Sequence, residues 1–404
     1  WQARLNRDPL MATRMGVQGA DHLLLDVSEK AYQDWAKISG QFLKRLNKID
    51  QQKLSKDEVI NVAILKRQLE WRIAEIDFKT YQIPFMSDSG FHTQILRLHT
   101  QVPLKTLKDY QNYLARLAAV SHSFAQHKVN MTAGLKRGFA MPKVVMQGFS
   151  QVISSAYDKG WQESVFWDVF KQLPDSINET QAVKLRKRAE KIISQQLLPA
   201  YEDLYTFFED TYIPQTKSSI AAIDFPHGKA YYQTQVDHYT TLDLSADDIH
   251  KIGLEEVARI RAEMQEIIKG LKFEGSFKDF LAFMRSSPQF YAKTGKELLK
   301  EAAYISKKMD AQLPKLFTKL PRQPYGVEPV PDAIAPKYTT GRYVSAPLDS
   351  ERAGAYWVNT YALDKRPLYV LEALTLHEAV PGHHLQNALN QELDNLPNFR
   401  RYSY

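Results

Sequence analysis

The sequence predicts a mainly α-helical protein: a large helical array with a small antiparallel β element just before a histidine-rich helix near the C-terminal end. Three observations carry this expectation. Apolar residues recur at three- and four-residue intervals through most of the chain. Side chains able to cap helices stand just ahead of several of those periodic stretches. Between Pro321 and Pro367 the pattern changes, and Pro, Gly, Thr and β-branched or aromatic residues dominate.

In chain order, residues 1–26 form a polar turn and a short apolar segment. From Ser28 to about Asn47, Tyr32, Trp35, Ile38, Phe42 and Leu46 mark one helix face. Ser55-Lys-Asp-Glu58 has the form of a capping box and opens a second helix to about Phe78, expected to pair antiparallel with the first. Pro84 to Gly90 reads as a loop. A long helix is expected from Leu104 to about Leu135. Pro142 suits the first position of the next helix, and Ser176-Ile-Asn-Glu179 signals one over Thr180–Tyr212, bent at Pro199. Pro214 to Gly228 is the expected boundary, giving regions 1–213 and 214–404 that pack as two units or as one domain. Beyond it, Ser245-Ala-Asp-Asp248 and Thr294-Gly-Lys-Glu297 cap helices to about Leu271 and Leu320, with a short helix over 275–285 between them. Gly341–Val344 and Ala355–Tyr361 read as strands, and Pro367 opens the last long helix.

Composition narrows the function classes. At 404 residues the chain can bury a large core, and its 44% apolar and 25% charged content is that of a soluble globular protein. No apolar run approaches the ~18 residues of a membrane span. The net charge of +7 is dispersed, as in Lys184-Leu-Arg-Lys-Arg188, without aromatic residues interleaved, so a nucleic-acid partner is not expected. There are no cysteines, so any metal site must use histidine and carboxylate. Oligomeric state is not readable from the sequence.

The chemistry concentrates in Thr375-Leu-His-Glu-Ala-Val-Pro-Gly-His-His-Leu-Gln386. Zinc hydrolases place two imidazole ligands and a general base with His-Glu-x-x-His, because residues i and i+4 share a helix face. Here that spacing is broken by Pro381, and the next histidines are His383 and His384. On a regular helix His384 would lie about 20° round from His377 but roughly 10 Å along the axis, and His383 about 120° away. Pro381, however, has no N–H for the His377 carbonyl and pushes Val380 out of the α region, while Gly382 tolerates unusual dihedrals. If the break absorbs two residues as a bulge, His383 takes the place of the i+4 ligand. The expected set is therefore His377 and His383 as ligands, with His384 as the alternative, and Glu378 as base. A kinked buried helix without function is the competing reading. Against it stands the cost of burying unpaired polar groups in an otherwise apolar helix.

The run Arg366–Gln386 resembles the bacterial domain-of-unknown-function 885 family. Tyr239–Val257, Leu320–Pro331 and Trp357-Val-Asn-Thr-Tyr361 extend the resemblance over most of the chain. It implies an extracytoplasmic metallopeptidase, periplasmic or lipoprotein-anchored, with a helical fold similar to gluzincin peptidases such as neurolysin and thermostable carboxypeptidase. Aligning Gly382-His383 with the His-Glu-x-Gly-His of those enzymes puts His383 on the second ligand position. The resemblance further implies one Zn²⁺ ion, a third glutamate ligand in a Glu-Gly-Trp segment expected beyond Tyr404, and a lipid anchor upstream of Trp1. A peptidase of this kind would use Glu378 to activate a metal-bound water against short peptides, with an edge strand beside the zinc helix holding the extended substrate. Tyr343, Tyr361 and His384 are candidate oxyanion donors. Asn359 is a candidate for binding the substrate main chain, and Arg342 or Arg352 for its terminal carboxylate. The alternative from another class is a peptide-binding or structural helical protein with an incomplete metal site.

Overall fold

The computed structural model describes residues 1–87, 89–332, 334–346 and 352–402. The chain is mainly α-helical with one small sheet, and it divides into two compact units, Trp1–Thr241 and Leu242–Tyr404.

In the first unit, local signals set the helix starts. Ser28 caps helix Glu29–Leu46, and a full Ser55/Glu58 capping box starts helix Lys56–Asp77, which packs along it. The single helix expected over 104–135 is two, Leu107–Ala118 and Val120–Arg137, parted at Ala119. Pro142 remains extended and precedes a 3₁₀ turn, not an α-helix. Asn178 with Gln181, rather than Ser176 with Glu179, caps helix Glu179–Ile192. Pro199 follows a π-helical stretch, Ile193–Leu197, whose wider turn takes up the hydrogen bond that proline cannot donate. The core is strongly aromatic: Tyr113, Phe124, Phe166, Phe170, Tyr201 and Phe208 are fully buried. Each such ring contributes about 1.5–3 kcal/mol by leaving water.

The expected boundary at 213/214 falls inside this unit. Helix Gly228–Thr240 belongs to it because Tyr231 packs edge-on to Phe78 and His238 stacks on Trp71 at 3.7 Å.

In the second unit, a Ser245/Asp248 capping box starts helix Ala246–Gly270, and Thr294 caps helix Gly295–Asp310. The latter ends short of the expected Leu320. Three strands follow: β1 (Tyr325–Pro329), β2 (Gly341–Val344) and β3 (Gly354–Val358), in the order β1-β3-β2. The expected β2–β3 pair is antiparallel, with Tyr343 opposite Tyr356, but β1 joins β3 in parallel, so the sheet is mixed. As the central strand, β3 is buried at four of its five positions, and Tyr356 and Val358 form a core with Leu298, Ala302 and Leu371. That core seats the motif helix Leu371–Glu378 against helix Gly295–Asp310 and β2. No helix among the described residues is long and apolar enough to cross a membrane.

Candidate metal centre

The chain path around Pro381 decides the site. The Ala379 N–H makes the last regular helical bond, to Thr375 O, and Ala379 then leaves the α region at φ −97°, ψ −99°. After the cis Val380–Pro381 peptide bond, the Gly382 N–H reaches back to Leu376 O at 2.9 Å. The His384 N–H donates to Ala379 O, and helix His383–Glu392 resumes from there. The two extra residues are thus absorbed as a bulge. Gly382 is required by close approach: a Cβ there would lie 1.9 Å from the His377 carbonyl oxygen. Buried Val380 and Leu385 pack with Leu313 beneath the bulge.

The result brings His377, Glu378 and His383 together, with one ligand atom of each lying within 4.8 Å of the others. The His377 and His383 rings stand 4.6 Å apart and nearly perpendicular, and His383 Nε2 is 3.9 Å from Glu378 Oε2. His377 is exposed, His383 half-buried and Glu378 buried, so the cluster opens to solvent on the imidazole side. The Tyr343 main-chain N–H donates to Glu378 Oε2 at 2.7 Å. Among the described residues no other group brings three such side chains together.

His384 is not part of the cluster. It points into the protein, 1% exposed, with Nδ1 at 3.1 Å from the Tyr343 hydroxyl and its ring against Tyr325. Burial lowers its pKa to about 4, against smaller opposing effects from the Gln323 main chain and Asp310. Tyr343 stands beside the cluster through its main chain while its phenol, pushed up to about 12 by burial, is turned to His384. Asn359 is fully buried, and its amide donates to the carbonyls of Ala335, Tyr338 and Thr339; it shapes the turn before β2. Tyr361 is half exposed, its N–H held by Asn359. Arg342 lies over the Tyr338 ring, and Arg352 is exposed beside β3. Ser403 and Tyr404 lie outside the described residues, and the third ligand is expected beyond them. The contact that sequence reasoning missed is the Tyr343 amide on Glu378, because a main-chain donor leaves no signature in the side-chain pattern.

Comparisons with known proteins agree with this fold. A "putative lipoprotein" from Colwellia psychrerythraea matches with a TM-score of 0.89 at 23% identity, covering 100% of this chain and 73% of that one. A "putative lipoprotein of unknown function" from Shewanella oneidensis matches with a TM-score of 0.63 at 15% identity, covering 99% of this chain and 72% of that one. Among the curated proteins nothing matches. Residues 9–404 match the family described as "Bacterial protein of unknown function (DUF885)", and the chain belongs to that family.

Proposed function

We propose that this chain is a zinc-dependent peptidase acting on short peptides, with His377 and His383 as ligands to one ion and Glu378 as general base. The observation that carries the reading is the convergence of those three side chains across a helix that proline and glycine break. The donor set fits the metal. Neutral imidazoles suit zinc, and the His377 and His383 rings stand 4.6 Å apart and nearly perpendicular, as two ligands to one ion would. Glu378 Oε2, 3.9 Å from His383 Nε2, lies beside the imidazole pair, where a base for a metal-bound water belongs.

A zinc ion bound there supplies Lewis acidity, lowering the pKa of water towards neutrality and polarising a peptide carbonyl. The chain's own part is to place the proton acceptor. Glu378, next to a ligand and held by the Tyr343 amide, accepts the proton from the attacking water and passes it to the leaving amine. β2 is an outer strand, and the alternation of its ladder with β3 turns the main-chain groups of Gly341 and the Tyr343 carbonyl away from β3, where an extended substrate can pair with them. An extracytoplasmic, lipid-anchored setting fits the lipoprotein description of the two structural neighbours.

The test is digestion of a peptide library by the purified chain, with and without a chelator, beside Glu378→Gln. Cleavage that a chelator abolishes, zinc restores and Glu378→Gln lacks is the expected result. Cleavage that survives chelation or survives in the Gln variant contradicts it, and no cleavage by zinc-loaded protein would favour a peptide-binding role.

A further inference from the structure

Glu378 is buried at the foot of the cluster, and a carboxylate on a flexible side chain is an effective base only if something holds its direction. Its hydrogen-bond donor is the Tyr343 main-chain N–H, at 2.7 Å. That amide is available because of the strand register. Asn359 N–H bonds Thr340 O, so Arg342 and Val344 share the bonded pairs with Trp357 and Ala355, and Tyr343 faces outward.

An outward amide on a four-residue edge strand is held only as firmly as the strand itself. The Tyr343 side chain supplies the anchor. Its hydroxyl meets Nδ1 of His384, which sits on the helix beyond the bulge and is almost fully buried. The other hydrogen bond of His384 goes to the Gln323 main chain and favours an N–H on the ring, which leaves Nδ1 as acceptor for the tyrosine proton. Tyr325 packs its ring on His384 at 4.6 Å and donates its own hydroxyl to Asp310, closing the far side. Gly354 makes room for the phenol, because a Cβ at that position would lie 2.4 Å from the Tyr343 hydroxyl.

We propose that Tyr343 and His384 form a positioning pair for Glu378: His384 fixes the tyrosine side chain, and the tyrosine main chain fixes one carboxylate oxygen. The other oxygen is thereby left for proton transfer. The second histidine of the Gly-His-His run thus acts by pinning an edge strand rather than by binding metal. This role rests on Glu378 being the base, but the geometry it requires is measurable without any substrate.

Residue-resolved amide hydrogen exchange tests it, on the wild-type chain, Tyr343→Phe, and the double variant Tyr343→Phe/His384→Leu, which removes both polar partners and avoids a lone buried one. In the wild type the Tyr343 amide is expected to exchange slowly despite facing away from β3. In both variants the amide at 343 should exchange about tenfold faster or more, while those of Arg342 and Val344 keep their protection. Zinc binding should change by less than about twofold, and peptide hydrolysis should lose about tenfold in kcat with KM held, as for a mispositioned base. Replacing Glu378 by Ala should release the same amide. Fast exchange at Tyr343 in the wild type, or protection that survives in both variants, overturns the positioning pair. If the exchange pattern holds but zinc-loaded wild-type protein cleaves no peptide, the pair stands and the peptidase reading fails.

Discussion

Each unit holds a pair of histidines, and the two pairs are used in opposite ways. In the first, His92 and His127 are buried in the aromatic core. Neither nitrogen of His92 nor Nδ1 of His127 has a hydrogen-bond partner among the described residues, and His127 stacks on Phe91 at 4.0 Å. Burial pushes both down to about 3, so they remain neutral and pack as flat apolar rings. In the second unit His377 and His383 face each other at the surface beside a carboxylate that is itself held by an amide. Burial alone therefore does not mark a functional histidine. Convergence on one point, with a path to solvent, does.

The sharpest way to break this contrast is at Gly382. Replacing it by Ala drives a Cβ into the His377 carbonyl, so the bulge must open and the two rings part. Divalent-ion affinity should fall by about 100-fold, the upper end of what is lost when metal ligands lose the groups that orient them, as read by titration calorimetry.

An effect of comparable size belongs to the first unit. His92 and His127 have folded-state values below their unfolded value of about 6.5. Their contribution to stability is complete above that value and is lost as pH falls towards about 3. At pH 4 the loss is about 3 kcal/mol per histidine as an upper figure. Urea midpoints should drop steeply between pH 7 and pH 4, and His92→Leu should flatten the slope. An unchanged slope would show that these rings do not stay neutral.

A smaller effect is expected at Tyr356, whose hydroxyl lies 3.4 Å from Thr375 Oγ1 and links β3 to the motif helix. Tyr356→Phe should cost about 0.5–1.5 kcal/mol in chemical denaturation and leave ion binding unchanged.

Much of this was legible in the sequence where the cause is local. Ser55 with Glu58 and Ser245 with Asp248 cap the helices they precede, because a cap needs only neighbours. Pro381 and Gly382 announce a broken helix for the same reason, which is why the bulge that brings His383 to His377 could be anticipated. What could not be read depends on distant partners. β1, Tyr325-Gly-Val-Glu-Pro329, carries a glycine and a proline and becomes a strand only by parallel pairing with β3. Ala119 parts two helices with no proline or glycine to announce it. Helix Gly228–Thr240 follows a proline-rich connection that looks like a boundary, yet aromatic packing assigns it to the first unit. His384 looked like a spare ligand, and only its hydrogen bond to Tyr343 shows which way it faces.

The central claim is that His377 and His383, not Glu378 and not His384, hold one divalent ion. The direct measurement is zinc content and affinity of the purified chain beside His377→Ala, His383→Ala and Glu378→Gln. One ion per chain in the wild type and in the Gln variant, with affinity lowered about 100-fold or more in each histidine variant, is the expected result. Zinc retained by both histidine variants, or lost on replacing Glu378, would contradict it.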